Sequence, residues 1–219
     1  MMGMAATRPA RGWKKTLLSA LWGAVIGGGS VTALLWLGGD DLLDAMDGSR
    51  VALAATGLIY LLIAAMIGLG LSAPRAGAKV LNVEDAEELI DQRPKLLVSL
   101  LYMAVLGLAL MLLALARAPG FAEGPVPPAV ALAGMVVLLA ASLASILWMR
   151  VYDELDRQMG IEGGAWAFFI AAGVLIPWSM LDTLGWNVPL HPLDIVTVLA
   201  VALLAGSFVA VGRRGMLTL

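Results

Sequence analysis

Apolar runs of roughly membrane-spanning length alternate with short polar stretches along this chain. They cover about residues 16–37, 51–73, 96–116, 129–149, 165–186 and 195–211, and Leu193 and Gly212 could lengthen the last and shortest. About 20 apolar residues in a helix cross a hydrocarbon core of about 30 Å. Backbone polar groups inside lipid must be satisfied within their own segment, and no alternating barrel pattern is present, so the runs predict helices. The pattern therefore predicts an all-α, polytopic membrane protein: a compact bundle of six transmembrane helices over residues 16–212. A basic segment, 1–15, precedes it and a short tail, 213–219, follows.

The polar stretches set the orientation. Arg8, Arg11, Lys14 and Lys15 precede the first run without any acid. A signal peptide begins similarly, but its apolar core is about 7–15 residues and ends at a small-residue cleavage site. The longer run and the missing A-x-A site favour a retained span. With six spans and a cytoplasmic N-terminus, Arg75, Lys79, Arg93, Lys95, Arg150, Arg157, Arg213 and Arg214 also fall on the cytoplasmic side. The outer loops then hold only Arg50 and Arg117. Such a bias follows the positive-inside rule and places both termini in the cytoplasm.

Composition agrees with the pattern. The 219 residues are 61% hydrophobic and 14% charged, with a mean hydropathy of +0.92, against roughly 25% charged in soluble domains. With no cysteine and one histidine, His191, thiolate chemistry, a multi-histidine zinc site and a bis-histidine haem within one chain are excluded. The net charge of −2 carries no message about nucleic acid. The expected surroundings are the lipid bilayer and either a membrane-protein partner or a second copy, with no cofactor, metal or nucleic acid.

The densest charge lies between the fourth and fifth runs, where Arg150, Asp153, Glu154, Arg157 and Glu162 follow one another. If the fourth helix continues past the membrane, Arg150 meets Glu154 and Asp153 meets Arg157 at four-residue spacing. Exposed pairs of that kind contribute about 0.3–0.5 kcal/mol each, so they mark the membrane boundary unless they bind or gate something. Glu162, beside Gly163 and Gly164 where the fifth run enters the bilayer, is a functional candidate by its depth. A similar acidic stretch, Glu87-Glu88-Leu89-Ile90-Asp91-Gln92-Arg93, precedes the third run, and reads either as a duplicated hairpin or as chance. Within that loop Asn82 can cap a short helix whose first turn holds Glu84 and Asp85.

The order Arg150, Asp153-Glu154, Arg157, Met159, Ile161-Glu162-Gly163, Ala165-Trp166-Ala167-Phe168 resembles a turn of the form D-E-x-x-R-x-I-x-L-E-A-x-A-x-x-F in small, uncharacterised bacterial inner-membrane proteins. The likeness continues through an aromatic-ended helix, an outer loop with proline, a final helix and a basic tail, and covers about the last third of the chain. It departs at Gly160 and Gly163, where the family more often carries a longer polar side chain and an alanine. The resemblance implies a multi-pass protein of the bacterial inner, cytoplasmic membrane and carries over no activity.

Other features have competing readings. Asp40-Asp41-Leu42-Leu43-Asp44 with Asp47 is a literal D-D-x-x-D, suited to Mg²⁺ and diphosphate only if a second acidic cluster faces it; otherwise it is a solvated outer loop. Pro177 should kink the fifth helix or free the carbonyl of Gly173. Trp178, Asp182 and His191 could form a small outer polar pocket, or simply an aromatic belt with an interfacial acid. Gly23 with Gly27, and Ala202 with Gly206 and Ala210, are small-residue stripes suited to close helix packing. The expectation is a non-enzymatic accessory, assembly or envelope-associated protein. The alternatives are a small transporter or channel with a polar site near the fifth helix and, third, an enzyme using the outer acidic loop.

Overall fold

The computed structural model describes residues 45–72, 90–148 and 152–214. Five long helices follow in order: α1 (Gly48–Ser72), α2 (Arg93–Ala114), α3 (Pro128–Trp148), α4 (Glu154–Thr183) and α5 (Pro192–Arg213). Each is long and apolar enough to cross a membrane, and the chain is a multi-pass, all-α membrane protein. The helices stand where the second to sixth apolar runs predict them. The first run, the basic segment 1–15, Asp40, Asp41, Asp44, the stretch capped by Asn82, the Glu87-Glu88-Leu89 half of the suspected repeat, and Arg150 lie outside the described residues.

Helix ends follow local chemistry. Asp47 opens α1, its Oδ1 accepting from the Arg50 N–H at 2.8 Å, as an N-cap carboxylate does. Pro94 stands in the first turn of α2, where its missing N–H costs nothing. Two boundaries differ from expectation. The fifth apolar run predicts a helix from about Ala165, but α4 begins at Glu154. Asp153 caps it with extended backbone and a side chain that accepts from the Asp156 N–H at 2.9 Å, and Glu154 and Asp156 suit the positive end of the helix dipole. At its far end α4 stops at Thr183, short of Trp186. Gly185 adopts φ +78°, and the N–H groups of Gly185 and Trp186 turn back to the carbonyls of Asp182 and Leu181, the glycine-dependent closure that terminates a helix. Pro177 lies inside α4, which continues past it.

Helices consecutive in the chain alternate in direction, so α1 and α5, which pack together, run the same way. Gly57 of α1 meets Gly107 of α2, and Gly68 meets Leu100. Gly134 of α3 meets Leu112 and Ala109 of α2. Glycine is required at the first crossing: a Cβ on Gly107 would stand 2.7 Å from the Gly57 carbonyl oxygen, so the backbones are already in contact. On the other side of the molecule α4 packs against α5 through two facing small-residue stripes, Gly163, Ala167 and Ala171 against Ala202, Gly206 and Ala210, all buried. In lipid, where apolar side chains gain little by leaving their surroundings, close backbone approach of this kind is what holds helices together. The stripe expected for helix packing on the last span is confirmed, and its partner stripe lies on α4.

Substantial packing joins α3 to α2, α2 to α1, α1 to α5 and α5 to α4. The described helices thus form a row in the order α3, α2, α1, α5, α4, with α1 at its centre. The core sits around Leu53, Tyr60, Leu106, Leu110 and Ala200. Tyr60, fully buried, donates its hydroxyl to the Ala200 carbonyl at 2.8 Å and ties α1 to α5.

Candidate functional site: the charged end of the bundle

Two ion-pair clusters gather at the end of the bundle where α2 and α4 begin and α5 finishes. In the first, Lys95 Nζ donates to Asp153 Oδ2 at 2.7 Å and to Asp156 Oδ2. It joins the first turn of α2 to the first turn of α4, helices otherwise separated in the row. A cation in the first turn of a helix is disfavoured by the helix dipole, and α2 has no acid there to offset it. The two carboxylates from α4 supply that compensation. The Asp156 N–H and, after it, the Lys95 ammonium hold the Asp153 carboxyl below the usual carboxylate range.

This arrangement corrects the expected pairing of Asp153 with Arg157. Tyr152 and Asp153 are not helical, so α4 starts afresh at Glu154 and does not continue α3. The Asp153 carboxylate spends one oxygen on its own helix cap and the other on Lys95. Arg157 instead pairs with Glu154 at 2.7 Å, and Gln158 donates to the same carboxylate at 2.9 Å.

The second cluster lies about two helical turns further along α4. Glu162 pairs with both arginines at the end of α5: Arg213 Nε stands 3.3 Å from Oε1 as an ion pair, and Arg214 donates to Oε2 at 3.3 Å through both Nε and a terminal amino group. The Arg213 guanidinium also lies over the Trp166 ring, 5.4 Å from its centroid. Gly163 lets this happen, since it faces Gly206 and Ser207 and brings the α4 and α5 backbones together just below the charges. Gly160 and Gly163 lie within a continuous helix.

Asp182 and His191, the candidate outer polar site, are both exposed, and no hydrogen bond or ion pair joins them. His191 serves as the N-cap of α5, its N–H donating to Asp194 Oδ2 at 3.0 Å. Trp178 donates its indole N–H to the Val188 carbonyl at 3.1 Å and fastens the α4–α5 loop.

Arg50, at the end of the bundle opposite Lys95 and Glu162, holds the most buried charge the fold describes. Its guanidinium, 8% exposed as a residue, donates to the Ala114 and Ala116 carbonyls at 2.9 and 3.1 Å and stacks on Phe121, 4.5 Å from the ring centroid. It neutralises the negative end of α2 and anchors the 115–127 loop, where Arg117 and Val126 exchange backbone hydrogen bonds with their neighbours across the turn. Two signals were available in the sequence: a lone basic residue after an acidic stretch, and an aromatic, Phe121, in the loop after α2. Lys95 and Asp156 had one too, a lysine at a helix start with no acid in its own first turn.

Among the described residues no three His, Cys, Asp or Glu side chains gather as a metal site, and every buried side-chain nitrogen or oxygen has a partner. The polar side chains inside the spans are spent locally: Thr56, Ser142, Thr197 and Ser207 donate to carbonyls four residues back. Between α2 and α3 an open cleft of about 180 Å³ is lined by Val98, Leu101, Tyr102, Val105, Ala141, Ala144 and Ser145. No family model, curated protein or solved structure matches this chain.

Proposed function

We propose that this chain is a non-catalytic accessory or assembly protein of a bacterial inner membrane, with six spans, both termini in the cytoplasm and the Lys95–Glu162 end facing the cytoplasm. The observation that carries the reading is α3, a flank of the row. Ala131 is its one buried residue among the described side chains, while Leu132, Val136, Leu139, Leu143 and Ile146 are all exposed. Their spacing of four, three, four and three residues is the heptad seam that offers knobs to a second helix. The local satisfaction of polar groups along the spans adds support, because a transport path needs polar groups left over for the solute.

Purification of the full chain from its native membrane in mild detergent tests this. A companion membrane protein in fixed ratio, lost with Leu139→Ala/Leu143→Ala, is the expected result. If the chain purifies alone, and proteoliposomes containing it take up a solute in a way that Glu162→Gln abolishes, the protein is a transporter and the proposal fails.

A further inference from the structure

The Glu162 cluster is unbalanced. Two guanidinium groups share one carboxylate, which leaves one positive charge on the pair at the end of α5. Arg213 is the open member: its side chain is 61% exposed, against 25% for Arg214, and among the described residues its terminal amino groups have no hydrogen-bond partner. Within the described bundle those groups are open to a ligand. Arginine presents its donors in a planar fork that matches a phosphate.

Depth identifies the source of that phosphate. The 22 residues of α5 rise about 33 Å, close to the thickness of a hydrocarbon core, which puts Arg213 at headgroup level. Below the arginine, the same face of α4 continues from Glu162 through Trp166, Phe169, Gly173 and Ile176, at helical spacing. Phe169 and Ile176 are exposed, and no atom lies within 4 Å of where a Gly173 side chain would begin. A phosphate bound above would therefore have an apolar track with a shallow notch directly beneath it. A free anion has no use for such a track; an acyl chain does.

We propose that Arg213 and Arg214, with Trp166 beneath them, form a headgroup site for an anionic phospholipid whose acyl chain lies along the Phe169–Ile176 face of α4. Glu162 preorganises the two arginines and also competes with the lipid phosphate for them. That dual role gives the site a signature that a purely structural ion pair lacks.

The test uses the full chain in detergent micelles, with native mass spectrometry reading bound phosphatidylglycerol against phosphatidylcholine. Wild type retains phosphatidylglycerol in preference to phosphatidylcholine. Arg213→Gln weakens phosphatidylglycerol binding by about five-fold, the scale expected for one basic residue near a charged lipid surface. Arg93→Gln, an exposed arginine at the same end, leaves it unchanged. Glu162→Gln, which frees both arginines, tightens phosphatidylglycerol binding, and this arm decides the matter even if an arginine variant fails to fold. The proposal is overturned if the two lipids bind alike, if Glu162→Gln weakens binding as the arginine variant does, or if inorganic phosphate displaces the lipid at equal concentration.

Discussion

Arg50 carries a larger structural duty than any other charged residue described. Its guanidinium supplies donors to two carbonyls at the end of α2 that have no intrahelical partner, in surroundings with little water. Arg50→Ala should lower stability by about 2–3 kcal/mol, the range for losing hydrogen bonds to a charged group and leaving buried acceptors unmet, as read by thermal unfolding in detergent. Arg50→Lys should recover part of that loss, since an ammonium reaches a carbonyl but does not stack as a planar group on Phe121. Asp153 makes a smaller, pH-dependent contribution. Its carboxyl is held below the usual range in the folded protein, so its contribution is complete above that range and disappears as pH falls through the folded value. The unfolding midpoint of wild type should therefore exceed that of Asp153→Asn near neutrality, and the two should converge in acid. That Asp153, Glu154 and Arg157 form a charged stretch between two apolar helices was legible in the sequence. Which acid pairs with which base was not, because spacing rules apply only inside one helix, and α4 starts afresh at Glu154. The partners Lys95 and Arg214 lie 58 and 52 residues from their acids, distances that composition cannot bridge.

Helix existence followed from apolar run length, and helix ends from chemistry that run length ignores. The acid-rich start of α4 reads as a polar turn on a hydropathy scale but as a capped first turn once Asp153 is recognised as an N-cap. Gly185 likewise marks the stop that the apolar run passes over. Small residues gave half of the α4–α5 contact: Ala202, Gly206 and Ala210 read as a packing stripe, while Gly163, Ala167 and Ala171 did so only when the helix placed them on one face. This contact makes a paired prediction. A Cβ on Gly206 would lie 2.6 Å from the Ala167 backbone nitrogen, so Gly206→Ala should force α4 and α5 apart and cost about 1–3 kcal/mol. Gly173 faces open space, and Gly173→Ala should be neutral or stabilise by up to about 1 kcal/mol through helix propensity. Unfolding of both variants in detergent checks the contrast; equal effects would mean that the close crossing is not what joins these helices.

At the scale of the whole molecule, the alternating helices bring one group of charges to one end and the Arg50 anchor to the other. The row places α3 and α4, consecutive in the chain, at its two ends, where each packs extensively on one described neighbour, α2 and α5 respectively, and turns apolar side chains outward. Large exposed residues such as Leu139 and Phe168 are then in contact with lipid or a partner helix. The order of the row was not legible in the sequence, since every span is apolar around most of its circumference and periodicity gives no preferred face. The most direct test of the account is single-cysteine labelling in the naturally cysteine-free chain, with a membrane-impermeant thiol reagent applied to intact cells and to inverted vesicles. Cysteines at Ser49 and Gly124 should react from outside intact cells, and one at Gly160 only in inverted vesicles. Reaction of all three from the same side would contradict a bundle whose helices cross the bilayer in alternation.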